Sequence, residues 1–236
     1  MIETMPPVNG LLARASLSQR QRDEMYELLA SHFEGVTRAQ FELDLAEKNW
    51  VVEIRREGRL LGFSTLLVSA VQFDGRALTA IYSGDTIVAP EAWGSPALAR
   101  TWIAAVNHLR AESPSRPCYW LLLTSGFRTY RFLSVFWREF FPCHAVGTPA
   151  SGQRLLDHLA TTRYGRSYRS AEGIVRFPRP QKLRGSLGVV PEGRISNPDI
   201  AFFLRRNPRH SHGDELVCLA EISEENLTAA GRRMIA

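Results

Sequence analysis

Cysteine is scarce in this sequence, lysine scarcer still, and no long apolar run occurs. The three cysteines, Cys118, Cys143 and Cys218, have no CxxC spacing and no histidine at zinc-ligand distance. That excludes a disulfide framework and a zinc motif of the usual spacing. Cys118 and Cys218 stand in strand-like apolar runs, the setting of buried thiols. Their odd number and wide separation suit a reducing compartment. No segment approaches the roughly 20 apolar residues of a membrane span, and Met1–Ser18 has no apolar stretch of leader type. The expectation is a cytoplasmic chain. Of 29 basic side chains nearly all are arginine, set against 24 acidic ones, for a net charge of +5. Arginine suits carboxylate and phosphate recognition through its two-pronged fork; a coding bias would give the same excess. The basic residues form no block and are not interleaved with stacking aromatics, which points away from nucleic acid. Serine-hydrolase and P-loop patterns, internal repeats and low-complexity tracts are all missing.

What is present is enough for a full core: 236 residues, 44% of them hydrophobic. This size suits one large domain, or one with an appendage. Residues 1–17 read as a flexible arm. Ser18 with Gln21 forms a capping-box pattern before Met25, Leu28, Leu29 and His32 at helical spacing. Gly35 stops that helix, and Thr37 with Gln40 caps a shorter one to Lys48. The period then changes to that of strands over 49–56, 59–73 and 78–88. Asp74-Gly75 signals a type I′ hairpin between the last two, because both residues tolerate positive φ. Pro90 breaks the third strand, and Ser95-Pro96 starts a helix. Cys118–Thr124 is continuously apolar, as expected of a central strand buried on both faces. Phe127–Phe141 reads as one aromatic-rich helix. Further on, helices are expected over 151–162, 197–206 and 223–235, with strands at 174–177 and 215–222.

Two helices, an antiparallel meander, then strand–loop–helix–strand–helix is the element order of the GNAT acyltransferase superfamily. The stretch Asp85-Thr86-Ile87-Val88-Ala89-Pro90-Glu91-Ala92-Trp93-Gly94-Ser95-Pro96-Ala97-Leu98 resembles that family's donor-binding strand end and loop. Val88, Pro90, Glu91 and Gly94 match, and the resemblance covers about 18–142. It implies a mixed α/β (α+β) fold with a mostly antiparallel central sheet flanked by helices. A core over 18–147 would carry a C-terminal extension, 148–236, packed on it. It also implies an acyl thioester donor, bound along Thr86, Ile87, Val88, Trp93, Gly94, Ser95 and Ala97. A helix N-terminus offers free N–H groups and the positive end of its dipole to phosphate. Trp93 departs from the family's Arg/Gln, Pro96 removes one N–H, and Leu98 crowds the loop. The weakened cradle suits the single phosphodiester of acyl-carrier-protein phosphopantetheine; acyl-CoA bound by a variant loop is the other choice.

Amide formation from a thioester needs a base for the amine, a donor for the oxyanion and a proton for the thiolate. Asp85 interrupts an apolar strand and is the candidate base, or else a structural acceptor; Gly84 beside it fits a bulge. Tyr130 matches the family's thiolate-protonating tyrosine, or else is a core tyrosine. If the register is anchored on Phe140-Phe141, Phe136 takes its place and cannot donate. Thr124 and Ser125 either bond the pantetheine arm or cap a turn. Arg128, near a helix start, meets a phosphate or makes a surface ion pair. His210, His212 and Asp214 form a loop cluster that holds a metal or is merely solvated, and Asp214 or Glu215 can hold a cationic acceptor. The aromatic helix serves as core or as the wall of an acyl-chain tunnel. The reading is an N-acyltransferase acting on a primary amine, without metal. A non-catalytic module binding an acyl thioester is the alternative.

Overall fold

The computed structural model describes residues 8–235. In chain order the elements are β1 (Leu11–Ala13), α1 (Gln19–His32), β2 (Phe33–Glu34), α2 (Arg38–Ala46), β3 (Trp50–Arg56), β4 (Arg59–Phe73), β5 (Arg76–Val88), α3 (Ala97–Ala111), β6 (Cys118–Thr124) and α4 (Phe127–Phe136). They continue with β7 (Phe140–Phe141), α5 (Ala150–Tyr164), β8 (Tyr168–Arg169), β9 (Ile174–Val175), β10 (Lys182–Leu183), α6 (Pro198–Arg206), β11 (Glu215–Glu221) and α7 (Ala229–Ile235).

Local chemistry explains the first half. The Ser18 hydroxyl accepts from the Gln21 N–H at 3.3 Å, and the Gln21 side chain accepts from the Ser18 N–H at 3.0 Å, closing the capping box on α1. Thr37 caps α2 through the Gln40 N–H. Asp74 and Gly75 both take positive φ, as a two-residue I′ hairpin requires, and β4 pairs with β5 across them. The main sheet runs β1-β3-β4-β5-β6-β11-β9-β8, with β7 also on β11. Only β5–β6 is parallel; α3 makes the crossover. Val52, Ile81, Trp120 and Cys218 turn to one face, beneath α3, α4, α6 and α7. On the opposite face Val51 and Phe63 pack on α1 and α2, and Leu121 and Val217 pack on α5.

Four expectations change. Part of the supposed arm is ordered: Leu11–Ala13 pairs with Trp50–Val52, and only residues 1–7 of that reading lie outside the described residues. The aromatic helix ends at Phe136, not Phe141. Its last carbonyls are taken by Thr228, whose N–H bonds Phe136 O at 3.0 Å and whose hydroxyl bonds Val135 O at 2.7 Å. That capping frees Phe140–Phe141 to pair with Leu219–Ala220. The C-terminal stretch does more than pack on the core, because β11 lies beside β6 within the sheet. Residues 223–228 form a turn, so the terminal helix is only α7. Among the described residues no helix is long and apolar enough to cross a membrane.

Candidate functional site

The site begins as a split in the sheet. β5 and β6 pair from Thr79↔Cys118 to Ser83↔Leu122 and no further, although both strands continue. Beyond the split β5 still pairs with β4, but with a shift of register: Ser64 faces Thr86 while Leu66 faces Ser83. One extra residue on β5 is therefore a bulge at Gly84-Asp85, which re-aims the side chains there. Glycine is required at position 84. A Cβ would lie 2.6 Å from the Thr65 hydroxyl and 2.8 Å from Lys48 Cε.

A cavity of about 1380 Å³ opens through the split. That exceeds the roughly 300–1,000 Å³ of ordinary small-molecule sites. It has three regions. At one end lies the loop into α3, with Trp93, Gly94, Ser95 and Ala97 on its wall. The first-turn N–H groups of a helix are ready anion donors, but here some are already used. Ser95 Oγ accepts from Ala97 N–H at 3.2 Å, and Pro96 has none to give. The Trp93 indole turns back to bond Val88 O at 2.9 Å, and His32 also contacts that carbonyl. Val88 O is thus engaged within the protein. A cation arrives from elsewhere instead. The Arg128 guanidinium lies 4.3 Å from the centre of the Trp93 ring, and Arg194 also lines this end. Arg128 donates to Leu187 O at 2.9 Å.

The second region is aromatic, on the α3/α4 face. Trp102 and Trp120, 2% and 3% exposed, stack at 4.2 Å with Phe132 against both. Their indole N–H groups bond Ser64 and Ser83. Ser64 is in turn linked to Thr86 at 2.8 Å.

The third region is polar, on the α2/α5 face. Asp85 comes from the bulge, and Glu215 from the first position of β11. Burial pushes the Asp85 carboxyl up to about 6, with the Lys48 charge opposing and Asp44 adding to the rise. Burial and the Asp85 charge push Glu215 up to about 8. A carboxyl near 6 can accept a proton at neutral pH, and one near 8 still holds its own. Lys48 is buried, 5% exposed, and its Nζ donates to Asp44 O at 2.7 Å. Burial and the nearby Arg163 push its ammonium down from the usual lysine range. Arg163 lies 3.9 Å over the Tyr82 ring, and Lys48 Nζ is 5.4 Å from the same ring.

Of the residues singled out from sequence, Asp85, Thr86, Ile87, Val88, Trp93, Gly94, Ser95, Ala97 and Ser125 all line this cavity. Two do not. Tyr130 is wholly buried among Phe140, Phe202 and Phe203, and its hydroxyl donates to Pro142 O at 2.9 Å. Burial pushes its phenol far up, so it is a core tyrosine rather than a proton donor to a thiolate. Thr124 is fully buried, and its hydroxyl bonds Leu216 O at 3.2 Å. It ties β6 to β11 instead of meeting a ligand. Asp214 is ion-paired with Arg176 at 2.7 Å and is structural. His210 packs on Phe203. Among the described residues no group of three metal-ligating side chains is close enough to share an ion. Lys48, Arg163 and Tyr164 escaped the sequence reading. The only signal was rarity: Lys48 is one of two lysines in the chain.

No family model matches the sequence, and no curated protein matches it. Solved structures do show likeness. A conserved protein of Enterococcus faecalis V583, described as a probable N-acyltransferase, is 16% identical with a TM-score of 0.43. The overlap covers 55% of this chain and 32% of that one, so the chain spans about a third of that protein. An acyl-CoA N-acyltransferase of Pseudomonas aeruginosa is 18% identical over 47% of this chain and 75% of that one, at a TM-score of 0.37. The GNAT family N-acetyltransferase YhbS of Escherichia coli, solved with CoA, is 17% identical over 54% and 69%, at 0.38.

Proposed function

We propose that this protein is an N-acyltransferase that moves an acyl group from a thioester to a primary amine. The observation that carries this reading is the split between β5 and β6, with Asp85 set on a bulge at its edge and a through-going cavity behind it. An extended pantetheine arm fits such a split, because strand edges without a partner offer N–H and C=O groups to an amide-bearing chain. The donor is acyl-CoA or an acyl carrier protein. Its phosphate end lies at the loop into α3, where Arg128 and Arg194 supply the positive charge that the loop sequence lacks. The acyl group points at Trp102, Trp120 and Phe132, an apolar wall that accepts a medium or long chain.

The reaction needs no redox partner. The amine nitrogen, deprotonated by Asp85 directly or through water, attacks the thioester carbonyl. The C–N bond forms, the C–S bond breaks, and the proton passes to the thiolate, leaving an amide and a thiol. Glu215, protonated at neutral pH beside Asp85, keeps one proton in the site for that transfer. Asp85→Asn keeps the shape but cannot accept the proton. Intact-mass and thiol-release assays with acyl-CoA and acyl-carrier donors over an amine panel test this. The expected result is a turnover loss of about 10²–10⁴-fold in Asp85→Asn with donor binding retained. Unchanged turnover removes Asp85 from the chemistry. Donor binding without any acyl transfer favours the non-catalytic module.

A further inference from the structure

Lys48 and Arg163 both crowd the ring of Tyr82, at 5.4 Å and 3.9 Å, although each carries a positive charge. Two like charges held together in a buried place repel, and burial adds to the cost. Arg163 bonds Glu47 at 3.0 Å at its outer edge, and Tyr82, Tyr164 and Glu47 together outweigh the cost of burying its charge. Its inner Nε is buried without a hydrogen-bond partner. The hydroxyl of Tyr164, next in sequence, is likewise buried, close to the Tyr82 hydroxyl but without a hydrogen bond of good geometry. Lys48 has three N–H bonds to give and directs one to a main-chain carbonyl, Asp44 O. Among the described residues no carboxylate is in ion-pair contact with it. This corner of the cavity therefore holds two charged donors whose hydrogen bonds are incompletely used, with the carboxylates of Asp85, Asp44 and Glu47 acting on Lys48 from outside ion-pair contact.

The opposite holds a short way along. Asp85 and Glu215 are two carboxyl groups that line the same cavity, and the Asp85 charge acts on Glu215. Lys48 stands against the bulge that carries Asp85, since a Cβ on Gly84 would touch its Cε. The cationic corner and the acidic pair line one cavity, and Lys48 and Asp85 are close enough for each charge to act on the other. A neutral amine would satisfy the acidic pair and leave the cationic corner as it is. An acceptor with an anionic group a few bonds from its amine would satisfy both, each buried charge gaining a partner.

Resting on the acyl-transfer reading, we propose that the acceptor is a free amino acid, its carboxylate held by Lys48, Arg163 and Tyr164 and its amine presented to Asp85 and Glu215. The product is then an N-acyl amino acid.

The test uses the full chain and pairs of acceptors that differ only in the carboxylate: free L-amino acids, their methyl esters and their decarboxylated amines. Taurine and phosphoethanolamine serve as other anions. The expected kcat/KM for the free amino acids exceeds that for esters and amines by about 100-fold or more, because a site built to bond a group rejects the analogue lacking it. Tyr164→Phe, which keeps the packing, and Lys48→Met raise KM for the amino acid by about 10-fold or more, with kcat changed far less. Equal use of amines and amino acids overturns the proposal and leaves acyl transfer standing, as does a preference for taurine or phosphoethanolamine. Calorimetry with free amino acids and no donor separates the two readings. Saturable binding that is lost in Lys48→Met, with no acylation of any amine, upholds the amino-acid site and removes the acyl-transfer reading. Neither binding nor acylation removes both.

Discussion

The two sides of the split at β5 are built on opposite terms. On the α3/α4 side every polar atom of the lining indoles is bonded: Trp102 to Ser64 and Trp120 to Ser83, with Ser64 passing the link to Thr86. Apolar area fills most of the rest, although the indole N–H of Trp137, packed behind both rings, has no partner. On the α2/α5 side, charge is buried with little compensation. Asp85, Glu215 and Lys48 are all shifted against their charged forms by burial, and Arg163 Nε and the Tyr164 hydroxyl have no partner. A satisfied network specifies a shape, whereas uncompensated buried groups cost stability and are retained where a ligand uses them. The first side should then answer to substitution through folding, and the second through function.

The largest expected effect is on the aromatic side. Trp120→Ala removes a ring packed on Trp102, Trp137 and Phe132 and leaves Ser83 without its donor. It should cost about 3–5 kcal/mol in denaturant unfolding. A loss below about 1 kcal/mol would break the comparison.

Next comes Glu215→Gln, with the opposite sign. The folded protein raises the Glu215 pKa from 4.5 to about 8, so between those values it holds a proton that the unfolded chain has released. The native protein thus loses stability as pH rises through that window, and the loss is complete above the folded value. Glutamine carries no such penalty. The variant should gain on the order of 1–3 kcal/mol over the parent at pH 8.5 and little at pH 4.5. Unfolding curves at the two pH values decide it, and a pH-independent difference would show that Glu215 is not the cause. Asp85 should follow the same sign over a lower window, from 3.8 to about 6.

Tyr130→Phe gives the smallest effect and sharpens the boundary between the sides. Losing the bond to Pro142 O should cost about 1–2 kcal/mol, leaving the proposed acylation by the folded protein within about two-fold of the parent. A large drop in turnover at full folding would return Tyr130 to the chemistry.

Legibility followed distance along the chain. The α1 capping box, the Asp74-Gly75 turn and the central strand Cys118–Thr124 are set by neighbours in sequence, and all three lie where the residues predict. Asp85 could be found because a carboxylate breaks an apolar strand, and Gly84 because glycine beside it marks a bulge. The end of α4 could not, since its cap, Thr228, is far away in sequence. Tyr130 takes the core role that the sequence leaves open beside the catalytic one, and Thr124 takes neither role the sequence offers it, for one reason. A residue type in a familiar register says nothing of which way the side chain turns, and both turn toward carbonyls of distant segments.

The sequence by itself determined the main run of elements, the meander and the carboxylate beside its bulge glycine, because hydrophobic period and turn chemistry act over a few residues. Only the tertiary structure decided what faces that carboxylate. Lys48, Arg163 and Glu215 come from three separated segments, and they meet because β11 enters the sheet beside β6 while α5 covers the face opposite α3. Burial then shifts Lys48 and Glu215 toward their neutral forms, aided by Arg163 and Asp85 respectively, and no local pattern encodes that.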